Sequence, residues 1–303
     1  MTFGASPEPR PTKNQRREAA REKARELRVQ QKKKDRRNKM MLQGGIVLGI
    51  VAVVAVILLI VVNSVRPEGP GPKNMASDGI LIGEGLVAVE TPALPANAVP
   101  IPSQPDETGS VANIRVWVDY LCPYCGDFER TNGPQIQGWL ESGAATLETF
   151  PIATLVSKSA GTKYSLRAAN AAGCVANFSP NDFFAFNSAM FIDQPQENTP
   201  ALNNTELKQR IKDAGVANTS EINKCIDDEQ FKAWVLDATD RALTGPLPNT
   251  ELPKVKGTPT VLVNGKQYAG SLDDPKEFAA FVQQAMGETY STATPTPTPA
   301  PAG

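Results

Sequence analysis

The chain has 303 residues, a formal net charge of −1 and no histidine. The missing imidazole excludes Ser-His-Asp and Cys-His catalysis, histidine metal sites and histidine-based pH switching. Four cysteines, Cys122, Cys125, Cys174 and Cys225, allow three pairings.

Charge is uneven along the chain. Residues 10–39 hold fourteen Lys and Arg against four acids, so the remainder is acidic. This block is rich in helix formers and reads as a solvated, partly helical tail rather than a nucleic-acid arm. Residues 40–65 carry no charge, and 44–62 are almost wholly aliphatic. About 20 apolar residues at about 1.5 Å each span a hydrocarbon core of roughly 30 Å. A helix also satisfies its own backbone there. The run exceeds the h-region of a signal peptide, which is roughly 7–15 residues, and no Ala-x-Ala directly follows it. The sequence therefore predicts one uncleaved transmembrane helix over 40–63. Only Arg66 and Lys73 follow closely, so the Lys/Arg bias puts the basic tail 1–39 in the cytoplasm and everything after the span outside. The tail also suits anionic lipid headgroups.

Residues 64–109 read as a Pro/Gly-rich linker, broken by short strands at 79–89. Residues 114–120 are β-branched and aromatic and predict a strand. A helix is expected from Cys122 to about 140, then a strand over 145–150 stopped by Pro151. Helices follow at 165–177, 180–192, 205–214, 219–227 and 229–243; those at 205 and 219 are expected to open on Thr or Ser caps with Glu soon after. Residues 260–263 and 266–269, joined by Asn264-Gly265, predict a hairpin. A last helix is expected over 274–286. The Ser/Thr/Pro/Ala tail over 288–303 is expected to be disordered. The folded part is thus 110–287, with a helical insertion over about 160–245.

Cys122-Pro123-Tyr124-Cys125 lies at the strand-to-helix junction. A helix N-terminus carries partial positive charge and free N–H groups, which favour a thiolate. The thiolate is the nucleophile, and a second cysteine one turn on is close enough to resolve the mixed disulfide. Cys122 is expected to exchange with substrate thiols and Cys125 to resolve. Pro123 fixes the turn into the helix. A zinc site would need two further ligands, and Cys174 and Cys225 form no second Cys-x-x-Cys. No metal and no cofactor are expected.

The run from Asp119 through Cys125, an inserted helical block, and Gly257-Thr-Pro-Thr-Val-Leu-Val-Asn-Gly265 resemble the DsbA family of the thioredoxin fold, in its membrane-anchored actinobacterial form. The resemblance covers about 80–287. It implies an α/β thioredoxin fold with an inserted helical domain, preceded by a single transmembrane helix. It implies a protein disulfide oxidoreductase acting on reduced, unfolded secreted or cell-envelope proteins. It also implies a membrane partner for reoxidation, quinone-linked and VKOR- or DsbB-like. In that family a cis-proline loop faces the active disulfide; here it matches Thr258-Pro259. Strong oxidants of the family often carry His before the second cysteine, where this chain has Tyr124. Thioredoxin-like proteins often bury an acid six residues before the first cysteine, where this chain has Val116. Asp119 is the nearest acid and is open to a solvated, capping or proton-transfer role.

In an oxidising compartment Cys174 and Cys225 are expected to be bonded rather than free. The pair reads as a structural disulfide or a second redox relay, and the resemblance supports the structural one. Trp117, Trp139 and Trp234 are expected in the core. Phe183, Phe184 and Phe186 fit either core packing or a substrate groove. Asn177-Phe178-Ser179 and Asn203-Asn204-Thr205 match a glycosylation pattern. Three functions follow: disulfide formation outside the cytoplasm, reduction or isomerisation by the same fold, or an envelope binding module whose disulfide is only structural.

Overall fold

The computed structural model describes residues 13–64 and 69–293. The start of the basic tail, residues 65–68 and the repeat 294–303 lie outside the described residues. The chain divides into two units at Pro67/Glu68.

The first unit is the helix α1, Lys13–Ser64. The expected span 40–63 falls in its second half, where most side chains lie outside the described residues. Among the described residues, no helix is long and apolar enough to cross a membrane.

The second unit is built on a five-stranded sheet. Its strands are β1 (Ile80–Ile82), β2 (Ala112–Val118), β3 (Ala145–Pro151), β4 (Thr260–Val263) and β5 (Lys266–Gln267), in the order β1-β3-β2-β4-β5. β2 and β3 run parallel, with Ile114 opposite Leu147 and Trp117 opposite Phe150. The other pairs are antiparallel. Every residue of β2 is buried, because both faces of the sheet are covered. The helix α2 (Pro123–Glu141) crosses between β2 and β3, and α8 (Pro275–Ala293) packs beside it. On the opposite face Trp117 stacks on Phe150, ring centroids 4.3 Å apart.

Between β3 and β4 the chain makes α3 (Tyr164–Phe178), α4 (Phe183–Phe191), α5 (Asn204–Asp213), α6 (Thr219–Asp227) and α7 (Lys232–Thr244). Phe183, Phe184 and Phe186 are buried in the core. Trp117 is buried, while Trp139 and Trp234 pack on the core partly buried. The cap of α5 is Asn203, not Thr205. Its Oδ1 accepts from Glu206 N–H at 3.1 Å while Glu206 Oε2 accepts from Asn203 N–H at 2.8 Å, so Asn203 serves as a capping box. Asn177 is engaged as well, accepting from Lys73 N–H at 3.0 Å.

The stretch read as a linker differs from that expectation. Met75, Ala76, Ile80, Ile82 and Ala88 are buried. Asn74 Nδ2 donates to the Ala176 carbonyl at 2.8 Å. Ser77 and Ser103 each donate to the carboxylate of Glu148 at 2.6 Å. Glu148 sits on β3 opposite Arg115 of β2, whose guanidinium donates to the carbonyls of Pro248 and Asn249. Residues 69–103 are therefore an arm laid on the sheet. Proline prevents helix in this arm but not extended packing.

Candidate active site

β2 ends at Val118 and α2 begins at Pro123, so the intervening residues must turn the chain. Leu121 N–H donates to Asp119 Oδ1 and Cys122 N–H to the Asp119 carbonyl, both at 2.9 Å. Cys122 becomes the N-cap of α2, with extended backbone at φ −73 and ψ 117, and Pro123 takes the first helical position. Cys125 follows one turn on, and its N–H donates to the Cys122 carbonyl at 3.1 Å. Both cysteines are free thiols. They are 4% and 1% exposed, while Tyr124 between them is 64% exposed.

The loop into β4 comes over this turn. The Thr258-Pro259 peptide is cis. The Cys122 thiol donates to the Thr258 carbonyl at 3.0 Å. The sequence match thus brings Cys122, Cys125, Thr258 and Pro259 to one place. A second cis peptide, Gly245-Pro246, had no signal in the sequence.

The two thiols titrate in opposite directions. The Cys125 side chain beside it lowers the Cys122 pKa most; Thr258 and the N–H groups of Cys125 and Tyr124 add to this against burial, and the result is about 7. Burial pushes the Cys125 thiol well above its ordinary value, and the neighbouring Cys122 adds to the rise. A thiolate at Cys122 and a protonated Cys125 can carry thiol–disulfide exchange.

Asp119 is not solvated. It is 0% exposed, and its Oδ2 accepts from the Thr154 and Leu155 N–H groups at 2.7 and 2.9 Å. Burial raises its pKa against these hydrogen bonds. It caps the redox turn and the loop after β3 together. Sequence reading missed three further residues here. Tyr120 is buried, and its hydroxyl donates to Asn187 Oδ1 of α4 at 3.1 Å. Glu129, one turn past Cys125, accepts from Ser188 of α4 at 2.8 Å, and burial raises its pKa. Gln194, in the loop after α4, donates to carbonyls of the redox turn. None had a local signal, because each contact spans the insertion. A groove of about 390 Å³ opens beside Pro123, lined also by Arg130, Phe191, Gln194 and Glu197.

Cys174 of α3 and Cys225 of α6 are bonded and buried, with Cα atoms 5.9 Å apart. The bond ties two helices of the insertion. Among the described residues, no group of three or more Cys, Asp or Glu is placed to hold a metal ion.

The thioredoxin family model matches residues 108–284, more than half of the chain. The chain belongs to the thioredoxin family. Among solved structures, the reduced disulfide bond oxidoreductase DsbG of Mycobacterium tuberculosis is similar to this thioredoxin-family chain at 27% identity and a TM-score of 0.51, over 72% of this chain and 95% of that one. Oxidised DsbA of Mycobacterium tuberculosis is similar at 29% identity and a TM-score of 0.51, over 71% and 100%. BdbD of Bacillus subtilis, at 18% identity and a TM-score of 0.51 over 73% and 100%, shares the fold. No curated protein sequence matches. With these neighbours and a free dithiol at the helix start, this thioredoxin-family chain is a DsbA-like disulfide oxidoreductase.

Proposed function

We propose that this enzyme forms disulfide bonds in secreted or cell-envelope proteins from the outer side of a membrane, with Cys122 as nucleophile and Cys125 as resolving thiol. The observation that carries the reading is the free dithiol at the start of α2, with Cys122 as N-cap and its thiol 3.0 Å from the Thr258 carbonyl beside the cis-proline. In the oxidised enzyme a substrate thiolate attacks Cys122 Sγ. The Cys122–Cys125 bond breaks, and Cys125, whose pKa is high, leaves and takes a proton. A second substrate thiolate then attacks the substrate sulfur of the mixed disulfide and releases Cys122 as thiolate. Two substrate thiols become one disulfide, and the enzyme gains two electrons. The Thr258 backbone beside Cys122 and the exposed Tyr124 ring suit an extended substrate segment.

The membrane setting rests on the sequence: an uncharged run over 40–65 preceded by fourteen Lys and Arg. Residues 1–39 are then cytoplasmic, 40–63 span the membrane, and the thioredoxin-family domain lies outside. Reoxidation needs a membrane partner that accepts the two electrons, quinone-linked and VKOR- or DsbB-like.

A second reading has its own support. A Cys122 pKa of about 7 equals that of thioredoxin, about 7, whereas DsbA lies near 3.5. Tyr124 offers no cation to lower it further. This favours a reductase or isomerase of the same fold. The reduction potential separates the two: a value near −120 mV supports the oxidase and one near −270 mV the reductase. The oxidase is tested by mixing the oxidised full chain with a reduced, unfolded secreted protein. Faster disulfide formation than with Cys122→Ser is expected, and equal rates would sink the reading. An envelope binding module would instead leave Cys122 inert to alkylation after mild reduction.

A further inference from the structure

Gln194 lies in the loop after α4 and reaches the redox turn across the insertion. Its Nε2 donates to the Tyr120 carbonyl at 3.0 Å and to the Cys122 carbonyl at 2.9 Å. The approach is shaped from both sides. On α2 the facing residue is Gly126, where a Cβ would overlap Gln194 Oε1 and come within 2.6 Å of Arg130 Nη1. On the loop, Asp193 takes a φ of 46, a left-handed conformation uncommon outside glycine. The Phe191 and Asp193 carbonyls accept from the guanidinium groups of Arg130 and Arg210, each at 3.3 Å. The side chain is thus aimed by the backbone on either side of it.

We propose that Gln194 is a positioning residue for the redox centre, through which the helical insertion sets the reactivity of Cys122. The inference rests on reading Cys122 as the nucleophile. The Cys122 carbonyl already accepts from the Cys125 and Gly126 N–H groups at 3.1 and 3.3 Å. The Cys125 N–H also favours the Cys122 thiolate. An amide donor on that carbonyl leaves the Cys125 N–H freer to serve the sulfur. The same donor keeps the positive end of an amide dipole on the backbone of the residue that carries the sulfur. Removing it takes both effects away, and a carboxylate at 194 adds a negative charge to the loss. The other charged or titratable groups around the turn are Asp119, Tyr120, Tyr124, Cys125, Glu129, the Asp127–Arg130 pair, Asp193, Glu197 and Arg210. They are the same in every variant, so a difference between variants reports residue 194.

The test is the pH profile of Cys122 alkylation in the reduced full chain, wild type against Gln194→Met and Gln194→Glu. Methionine keeps the length and bulk of the side chain and removes only the amide. The midpoint is expected to rise by about half a unit in Gln194→Met, roughly threefold less thiolate below it, and by more in Gln194→Glu. Thermal unfolding of each variant identifies the folded fraction on which the profile is read. A midpoint that stays at the wild-type value in Gln194→Met, or rises no further in Gln194→Glu, overturns the proposal even where the fold is weakened. A wild-type midpoint at the ordinary cysteine value would instead count against Cys122 as the activated thiol, and so against the proposed function itself.

Discussion

Cys122 and Cys125 are three residues apart and chemically unlike, and the difference comes from position along one helical turn. Cys122 stands outside the first turn, where N–H groups converge on it; Cys125 stands inside, facing the core. Below a pH of about 7 Cys122 holds its proton, and above it the thiolate dominates. Its reaction with iodoacetamide should therefore fall as pH drops through about 7, half its plateau lying near that value. Cys125, raised well above its ordinary value, should stay unreactive across the same range. Mass spectrometry of the alkylated peptides reads the two sites separately. The sulfur motif was plain in the sequence because its spacing is local. The carboxyl of Asp119 was not: three N–H groups from two loops converge on it, and only one of those loops adjoins it in sequence.

At the scale of elements, β2, α2 and the hairpin at Asn264-Gly265 were legible for physical reasons. β-Branched residues mark β2, and a proline after the first cysteine marks the start of α2. Asn264 at φ 46 and Gly265 at φ 79 supply the two positive φ angles that a tight hairpin turn requires. The arm 69–103 was not legible. Its prolines and glycines read as a linker although apolar residues are frequent in it, and its anchor on β3 includes a carboxylate bonded to Ser77 and Ser103, 71 and 45 residues away. Likewise α8 runs on to Ala293, past the expected end at 286, because Gly287 does not break it. Glu148→Ala would leave the Ser77 and Ser103 hydroxyls without their acceptor. A hydrogen bond to a charged group is worth about 1.5–3 kcal/mol. Denaturant unfolding should show a loss of that order, and hydrogen exchange should quicken first in residues 69–103.

For the whole molecule, two devices lie outside the redox centre. The Cys174–Cys225 bond closes a loop of 51 residues inside the insertion. In the chain-entropy account that restraint is worth about 4 kcal/mol. The double variant Cys174→Ala, Cys225→Ala should lose about that much stability by denaturant unfolding, while Cys122 keeps its alkylation profile. A second redox relay would instead show itself as lost turnover in a variant that still folds. The other device is the membrane span proposed over 40–63. Protease added outside intact cells should digest the domain that follows the span and leave residues 1–39 protected. Protection of the domain would reverse the proposed orientation.

The central claim is that Cys122 meets the substrate and Cys125 resolves. Its most direct test is trapping of the mixed disulfide with a reduced, unfolded secreted protein that keeps a single cysteine, so that no second substrate thiol can release Cys122. The full chain with Cys125→Ser, its Cys122 first activated as a mixed disulfide with a small aromatic thiol, should accumulate a covalent complex through Cys122. That complex should vanish on reduction, and the same procedure on Cys122→Ser should yield none. A complex that forms through Cys125 when Cys122 is replaced, or none with Cys125→Ser, would contradict the account.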